Sequence, residues 1–238
     1  MKITSFLIIL SFAFSCKNAT QKQGVKNSQY IETDDAITAS EQKTLSPDSI
    51  ISLLKKGNEN FYQHKSKPKN DSARIVQTAH GQYPMAAVLS CIDSRVPVEE
   101  VLDKGIGDLF VARVAGNIAN EDILGSLEYA CKVAGAKVIM VLGHEHCGAI
   151  KSAIDNVKMG NVTALLNKIQ PAVNAVKITG DKSSKNDALV HDVAQKNVEL
   201  TIKKIKANSL VLAQLEKEGK IKIVGGIYDL DSGKITFY

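Results

Sequence analysis

Two short stretches hold the side chains best able to do chemistry. Val141-Leu142-Gly143-His144-Glu145-His146-Cys147-Gly148 ends an apolar run in a His-x-x-Cys pair. Ser90-Cys91-Ile92-Asp93-Ser94-Arg95 ends another in a thiol followed by a carboxylate and a guanidinium. Thiolate and imidazole are the ligands zinc takes in tetrahedral sites; a structural ion uses four of them, and a catalytic ion keeps one position for water. His144 and Cys147 stand three apart, so a tight strand-to-helix turn can aim both at one ion, and Cys91 can reach it from a neighbouring strand end. No fourth Cys or His has comparable spacing. Cys131 falls on the apolar face of a helical pattern and reads as a buried, inert thiol. The count therefore favours an open, catalytic Zn2+.

Charge sharpens this reading. Two thiolates and a neutral imidazole cancel the charge of the ion, and thiolates donate more charge than imidazoles. A bound water is then less acidic than at an all-His site, where its pKa is about 7, and activity is expected to rise toward alkaline pH. A helix opening at Cys147 would turn its positive end to that thiolate and help keep it deprotonated. Asp93, held by Arg95 through paired hydrogen bonds, makes a fixed acceptor that can take the proton of zinc-bound hydroxide and orient its oxygen toward an electrophile. His146 reads as a rim position, because its offset of two from His144 need not point the same way. His64, His80 and His191 read as surface or loop histidines, and Gly148 as a residue permitting close backbone approach near the metal.

Buried strands with helices between them are needed to bring these stretches together. Met85 to Ile92, Asp108 to Ala115 and Lys137 to Leu142 read as strands of a parallel sheet covered on both faces. Ile221 to Tyr228 and Ile235 to Phe237 follow, joined by the turn Asp229-Leu230-Asp231-Ser232-Gly233. Ser46-Pro47-Asp48-Ser49 caps a first helix; Glu121 to Ala134, Cys147 to about Val157, Asn161 to Lys177 and Asp187 to Asn208 read as further helices, with a polar loop over Gly180 to Asn186. The alternation predicts an α/β domain over residues 47–238, with a mostly parallel central β-sheet flanked by helices and an antiparallel C-terminal edge strand. Ligands in such sheets gather at the carboxyl ends of strands, where Cys91 and His144 both fall.

The remainder concerns address rather than chemistry. Lys2 and the apolar stretch Ile3 to Phe14 read as a signal peptide over residues 1–15, too short for the roughly 20 residues a bilayer span needs. Ala13-Phe14-Ser15-Cys16 resembles a bacterial lipoprotein cleavage box, with Ala13 where Leu is commonest and Phe14 where a small residue is usual. An exported protein is expected, periplasmic or membrane-anchored, touching the membrane only through a lipid anchor at Cys16. Residues 16–46 are polar, without apolar periodicity, and read as a flexible linker. Over 238 residues, 44% hydrophobic and 23% charged, the net charge of +5 is dispersed and aromatics are few, which gives nucleic-acid binding only a weak compositional case, and no nucleic-acid partner is expected.

Cys91-Ile92-Asp93-Ser94-Arg95 and His144-Glu145-His146-Cys147-Gly148 resemble the two signature motifs of the β-class carbonic anhydrases. Gly57-Asn58 with Phe61, Gly107 through Asn117, and Gly225-Gly226-Ile227-Tyr228-Asp229-Leu230 resemble further blocks of that family in the same order. The resemblance implies reversible hydration of carbon dioxide to bicarbonate and a proton by zinc-bound hydroxide. Zn2+ would be held by Cys91, His144 and Cys147, with the Asp93–Arg95 dyad orienting the hydroxide, and the protein would assemble as a homodimer or homotetramer. Family members that close the site with the Asp bind bicarbonate at a pocket containing a Trp; this chain has none, so an open site is expected. A Cys-x5-Arg phosphatase loop would need Arg at position 97, which is Pro97. A closed structural zinc would need Asp93 as fourth ligand. The nearest rival is an enzyme of the same scaffold hydrolysing carbon disulfide or carbonyl sulfide.

Overall fold

The computed structural model describes residues 35–177 and 179–238. The expected signal peptide, Cys16 and most of the expected linker lie outside the described residues. Five strands, β1 (Ala86–Ser90), β2 (Leu109–Arg113), β3 (Val138–His144), β4 (Lys222–Tyr228) and β5 (Ile235–Phe237), form one sheet in the order β2-β1-β3-β4-β5. The first four run parallel, and β5 pairs antiparallel with β4. β1 and β3 are buried along their whole length, which is why their sequences are unbroken apolar runs. Successive side chains go to opposite faces: Ala87, Leu89, Ile139 and Val141 join one core, and Ala86, Val88, Val138 and Met140 the other.

Helix α9 (Asp187–Asn208), bounded as expected, covers the first core through Val190, Val193, Val198 and Ile205. Helix α2 (Pro47–Tyr62) covers the second through Ile50 and Leu54, and its start is fixed by the Ser46–Ser49 capping box.

Several boundaries differ from the sequence reading. Residues at the end of the expected linker form α1 (Ala39–Thr44), capped by a Thr38–Glu41 box, with Ile37 and Leu45 buried on either side. A segment this polar is held by hydrogen bonds rather than apolar periodicity: Gln42 Nε2 donates to the carbonyls of Pro84 and Ala134 at 2.8 and 2.9 Å. Asn161 to Lys177 is two helices, α7 (Gly160–Leu166) and α8 (Gln170–Ala175), the second opening with Pro171, whose missing N–H is tolerated only in a first turn. Glu121 to Ala134 is α5 (Glu121–Glu128) continued by a π-helical turn over Tyr129–Val133. Three short helices were not anticipated: α3 (Asp71–Thr78), α4 (Val98–Val101) and α10 (Leu210–Lys217). No described helix is long and apolar enough to cross a membrane.

Candidate metal centre

β1 and β3 are neighbours with Ser90 opposite Leu142, so the chain leaves β1 at Cys91 just where β3 is about to end in His144. Cys147 stands at the N-cap of α6 (Gly148–Ile154), three residues on. This brings together the three ligands read from the sequence: the donor atoms of Cys91, His144 and Cys147 all lie within 4.8 Å of one another, and all three residues are buried. His144 Nδ1 is 2.8 Å from the Glu145 carbonyl, which must accept the ring N–H. The lone pair is thereby left on Nε2, a buried atom with no hydrogen-bond partner. An orphaned imidazole nitrogen facing two thiols is the arrangement a thiophilic cation satisfies.

The sulfurs argue the same way. Cys91 is held down to about 4, first by the hydrogen bond from Cys147, against the cost of burial, with further help from the amides of Gly116 and Asp93. Cys147 is pushed well above the usual thiol range, first by that same hydrogen bond to Cys91, then by burial and by the Cys91 charge. The amides of Ala149 and Ile150 at the start of α6 pull it down, as the sequence reading expected, but do not prevail. By themselves the two thiols share one proton; ionising both takes a cation.

Asp93 and Arg95 form the expected pair. Arg95 Nε donates to Asp93 Oδ1 at 3.0 Å and Nη2 to Oδ2 at 2.8 Å, and the Arg95 backbone N–H adds a third bond to Oδ1 at 3.0 Å. The Arg95 hydrogen bonds hold the carboxyl down at about 2. Its Oδ2 lies 3.8 Å from His144 Nε2, on the edge of the centre.

A residue quoted only as part of a motif block proves to hold the loop together. Arg113, at the end of β2, donates through Nε to the Cys91 carbonyl at 2.9 Å and through Nη2 to the Asp93 carbonyl at 2.5 Å. Its signal in the sequence was only its place at the carboxyl end of a strand. Gly143 is a further place where the backbone needs room: a Cβ there would lie 2.8 Å from both Ile227 Cδ1 and Val198 Cγ2, while one on Gly148 would meet no protein atom within 4 Å. His146 has a left-handed φ of 52° and turns its Nδ1 to Asp187, 3.4 Å away. His191 pairs with Glu145 at 2.6 Å. Cys131 is buried, with its thiol pushed up to about 12 by burial.

Fold and site together define a class: an α/β protein with a buried Cys-His-Cys cluster able to hold a metal ion at the carboxyl ends of two adjacent parallel strands and a clamped carboxylate beside it. Residues 86–235 match the family model described as carbonic anhydrase. Carbonic anhydrase 2 of Mycobacterium tuberculosis is 34% identical over 197 residues, covering 79% of this chain and 91% of its own. Among solved structures, a Coccomyxa β-carbonic anhydrase in complex with acetazolamide superposes with a TM-score of 0.62 at 25% identity, covering 78% of this chain and 85% of its own. A tetrameric β-carbonic anhydrase of Sordaria macrospora shares the fold, with a TM-score of 0.62 at 23% identity over 80% of this chain and 96% of its own. The chain belongs to the carbonic anhydrase family, in its β class.

Proposed function

We propose that the protein catalyses the reversible hydration of carbon dioxide to bicarbonate and a proton, with Zn2+ held by Cys91, His144 and Cys147. The observation that carries this reading is the unpartnered His144 Nε2, facing two thiols, with Asp93 Oδ2 at 3.8 Å. Zinc held there lowers the pKa of a water and so supplies a nucleophile at moderate pH. Asp93 does the aiming. With its pKa held near 2 it remains a carboxylate at any working pH, accepting the O–H of the attacking water rather than storing its proton. Arg95 fixes the carboxylate plane by its paired bonds, and Arg113 fixes the peptides on both sides, so the water's lone pair meets the carbon without further ordering. The water oxygen bonds to carbon, one C=O electron pair moves onto oxygen, and one proton leaves for solvent. Arg95, more than half exposed, lies on the solvent side of this arrangement.

A sulfur analogue as substrate draws no support from the relatives, which are named carbonic anhydrases. The test is stopped-flow carbon dioxide hydration by zinc-analysed protein beside Cys91→Ser. Stoichiometric zinc and activity in the parent, both lost in the variant, are expected; a metal-free active protein, or an unaffected variant, overturns the reading.

Assembly and address belong to the same proposal. β2 leaves its outer edge unpaired among the described residues, which favours a homodimer or homotetramer, to be read by light scattering. The Met1–Cys16 sequence favours export and lipidation, expected as palmitate labelling that Cys16→Ala abolishes.

A further inference from the structure

The donors around the Cys91 sulfur lead to a residue outside every motif. Gly116 lies in a tight turn, Ala115–Asn117, with φ at +68°, and its N–H donates to Cys91 Sγ at 3.4 Å in a buried setting. A side chain is strained there, because L residues rarely adopt this φ and a Cβ would also lie 2.6 Å from Ile169 Cδ1. The next peptide is held at both ends. The Asn117 N–H donates to the Val114 carbonyl at 2.9 Å, and the Gly116 carbonyl accepts from Asn197 Nδ2 at 2.8 Å. Asn197 comes from the middle of α9, 81 residues away, and is only 3% exposed, among Val193, Ala194, Val198 and Thr201. Packing does not call for an amide at this place. Asn is a poor helix former, and a buried amide costs free energy unless its bonds are made. Here the amide N–H is satisfied by the Gly116 carbonyl.

We propose that Asn197 is a positioning residue for the metal centre: it pins Gly116 in the left-handed conformation that keeps its N–H on the Cys91 sulfur. An N–H···S bond draws charge from a thiolate, so Cys91 donates less to the ion it holds, and the ion stays a stronger Lewis acid. The pinned turn also holds Cys91 in place before metal arrives, as outer partners do for ligands elsewhere. This rests on the zinc reading above.

The test uses the full chain with cobalt or cadmium in place of zinc. In Asn197→Leu, the thiolate-to-cobalt charge-transfer band is expected to move to lower energy, and zinc affinity to fall about 10–100-fold. Val193→Ala, one turn earlier on the same buried face, removes packing without touching Gly116; it is expected to lower the melting temperature and leave band and affinity in place. Should Asn197→Leu not fold, Asn197→Ala is read the same way. On the unaltered protein loaded with 113Cd, the Gly116 amide proton is expected to show scalar coupling to the metal through the hydrogen bond. Band and affinity in the Asn197 variants no different from Val193→Ala, or no coupling at Gly116, overturns the inference. Failure of the unaltered protein to take up any of the three metals overturns the zinc reading instead.

Discussion

The two ends of the parallel sheet differ in how completely they pair their buried polar atoms. At the amino end they are paired. Lys137 Nζ donates to the carbonyls of Gln42, Lys43 and Leu45, Gln42 to those of Pro84 and Ala134, and Arg74 Nη1 meets Asp108 Oδ1 at 3.0 Å while the Gly105 N–H takes the other oxygen at 2.8 Å. At the carboxyl end Asn197 is paired, but Ser90 Oγ, Asn117 Nδ2 and His144 Nε2 are buried without a partner among the described residues. An unpaired buried polar group costs about 1–3 kcal/mol. A fold that pairs such groups at one end and leaves three orphaned at the other has set the second end aside for something it binds. Sulfur follows the same division: Cys91 and Cys147 sit in the orphaned end, and Cys131 beside Lys137 in the satisfied one.

Asp93→Asn attacks the carboxyl end with the largest expected effect. Hydration activity should fall about 10²–10⁴-fold with zinc content unchanged, because the acceptor is weakened and the ligands are not. Loss of zinc in this variant would make Asp93 a ligand. Arg74→Met attacks the amino end, taking the Arg74 cation away from the buried Asp108 carboxylate. Denaturant titration should show a loss of about 3–5 kcal/mol, with the activity per folded molecule unaltered.

The thiols supply a comparison within one molecule. After chelation, iodoacetamide at pH 7 should label Cys91 roughly 10–100 times faster than Cys131. Cys91, at about 4, is already thiolate, whereas Cys131, at about 12, is almost wholly thiol; the greater intrinsic reactivity of the rarer thiolate offsets part of that difference. The pH dependence has a definite sign: the Cys91 rate should be flat from pH 6 to 9, and the Cys131 rate should climb tenfold per pH unit. Mass mapping that shows parallel profiles would contradict the pairing of Cys91 with Cys147. Smallest of all, Gly148→Ala should stabilise by about 0.4–1 kcal/mol and leave zinc binding intact, since a Cβ there meets nothing.

How much of this could be read from the chain depends on how far apart the cooperating groups are. His144 and Cys147, or Asp93 and Arg95, are local pairs whose spacing in one turn already states their geometry. Apolar runs gave β1 and β3, because a strand buried on both faces must be apolar throughout. Helix α1 was taken for linker because its anchoring is Gln42 bonding to carbonyls 42 and 92 residues away, which leaves no periodic trace. Arg113 and Asn197 escaped for the same reason, each being an ordinary polar residue in an ordinary element until its partner is known. The crowding over Gly143 left no sign in the sequence, since which glycine is crowded depends on what packs over it.

The sequence by itself determined the candidate ligand types, the order of the elements and the alternation that makes the sheet parallel, since these rest on chemistry within a few residues. Only the tertiary structure decided which backbone groups surround the Cys91 sulfur, which nitrogen of His144 is left free and which polar atoms go unpaired. Those depend on where strands 52 residues apart in the chain end relative to one another, and register is set by the packing of the whole domain.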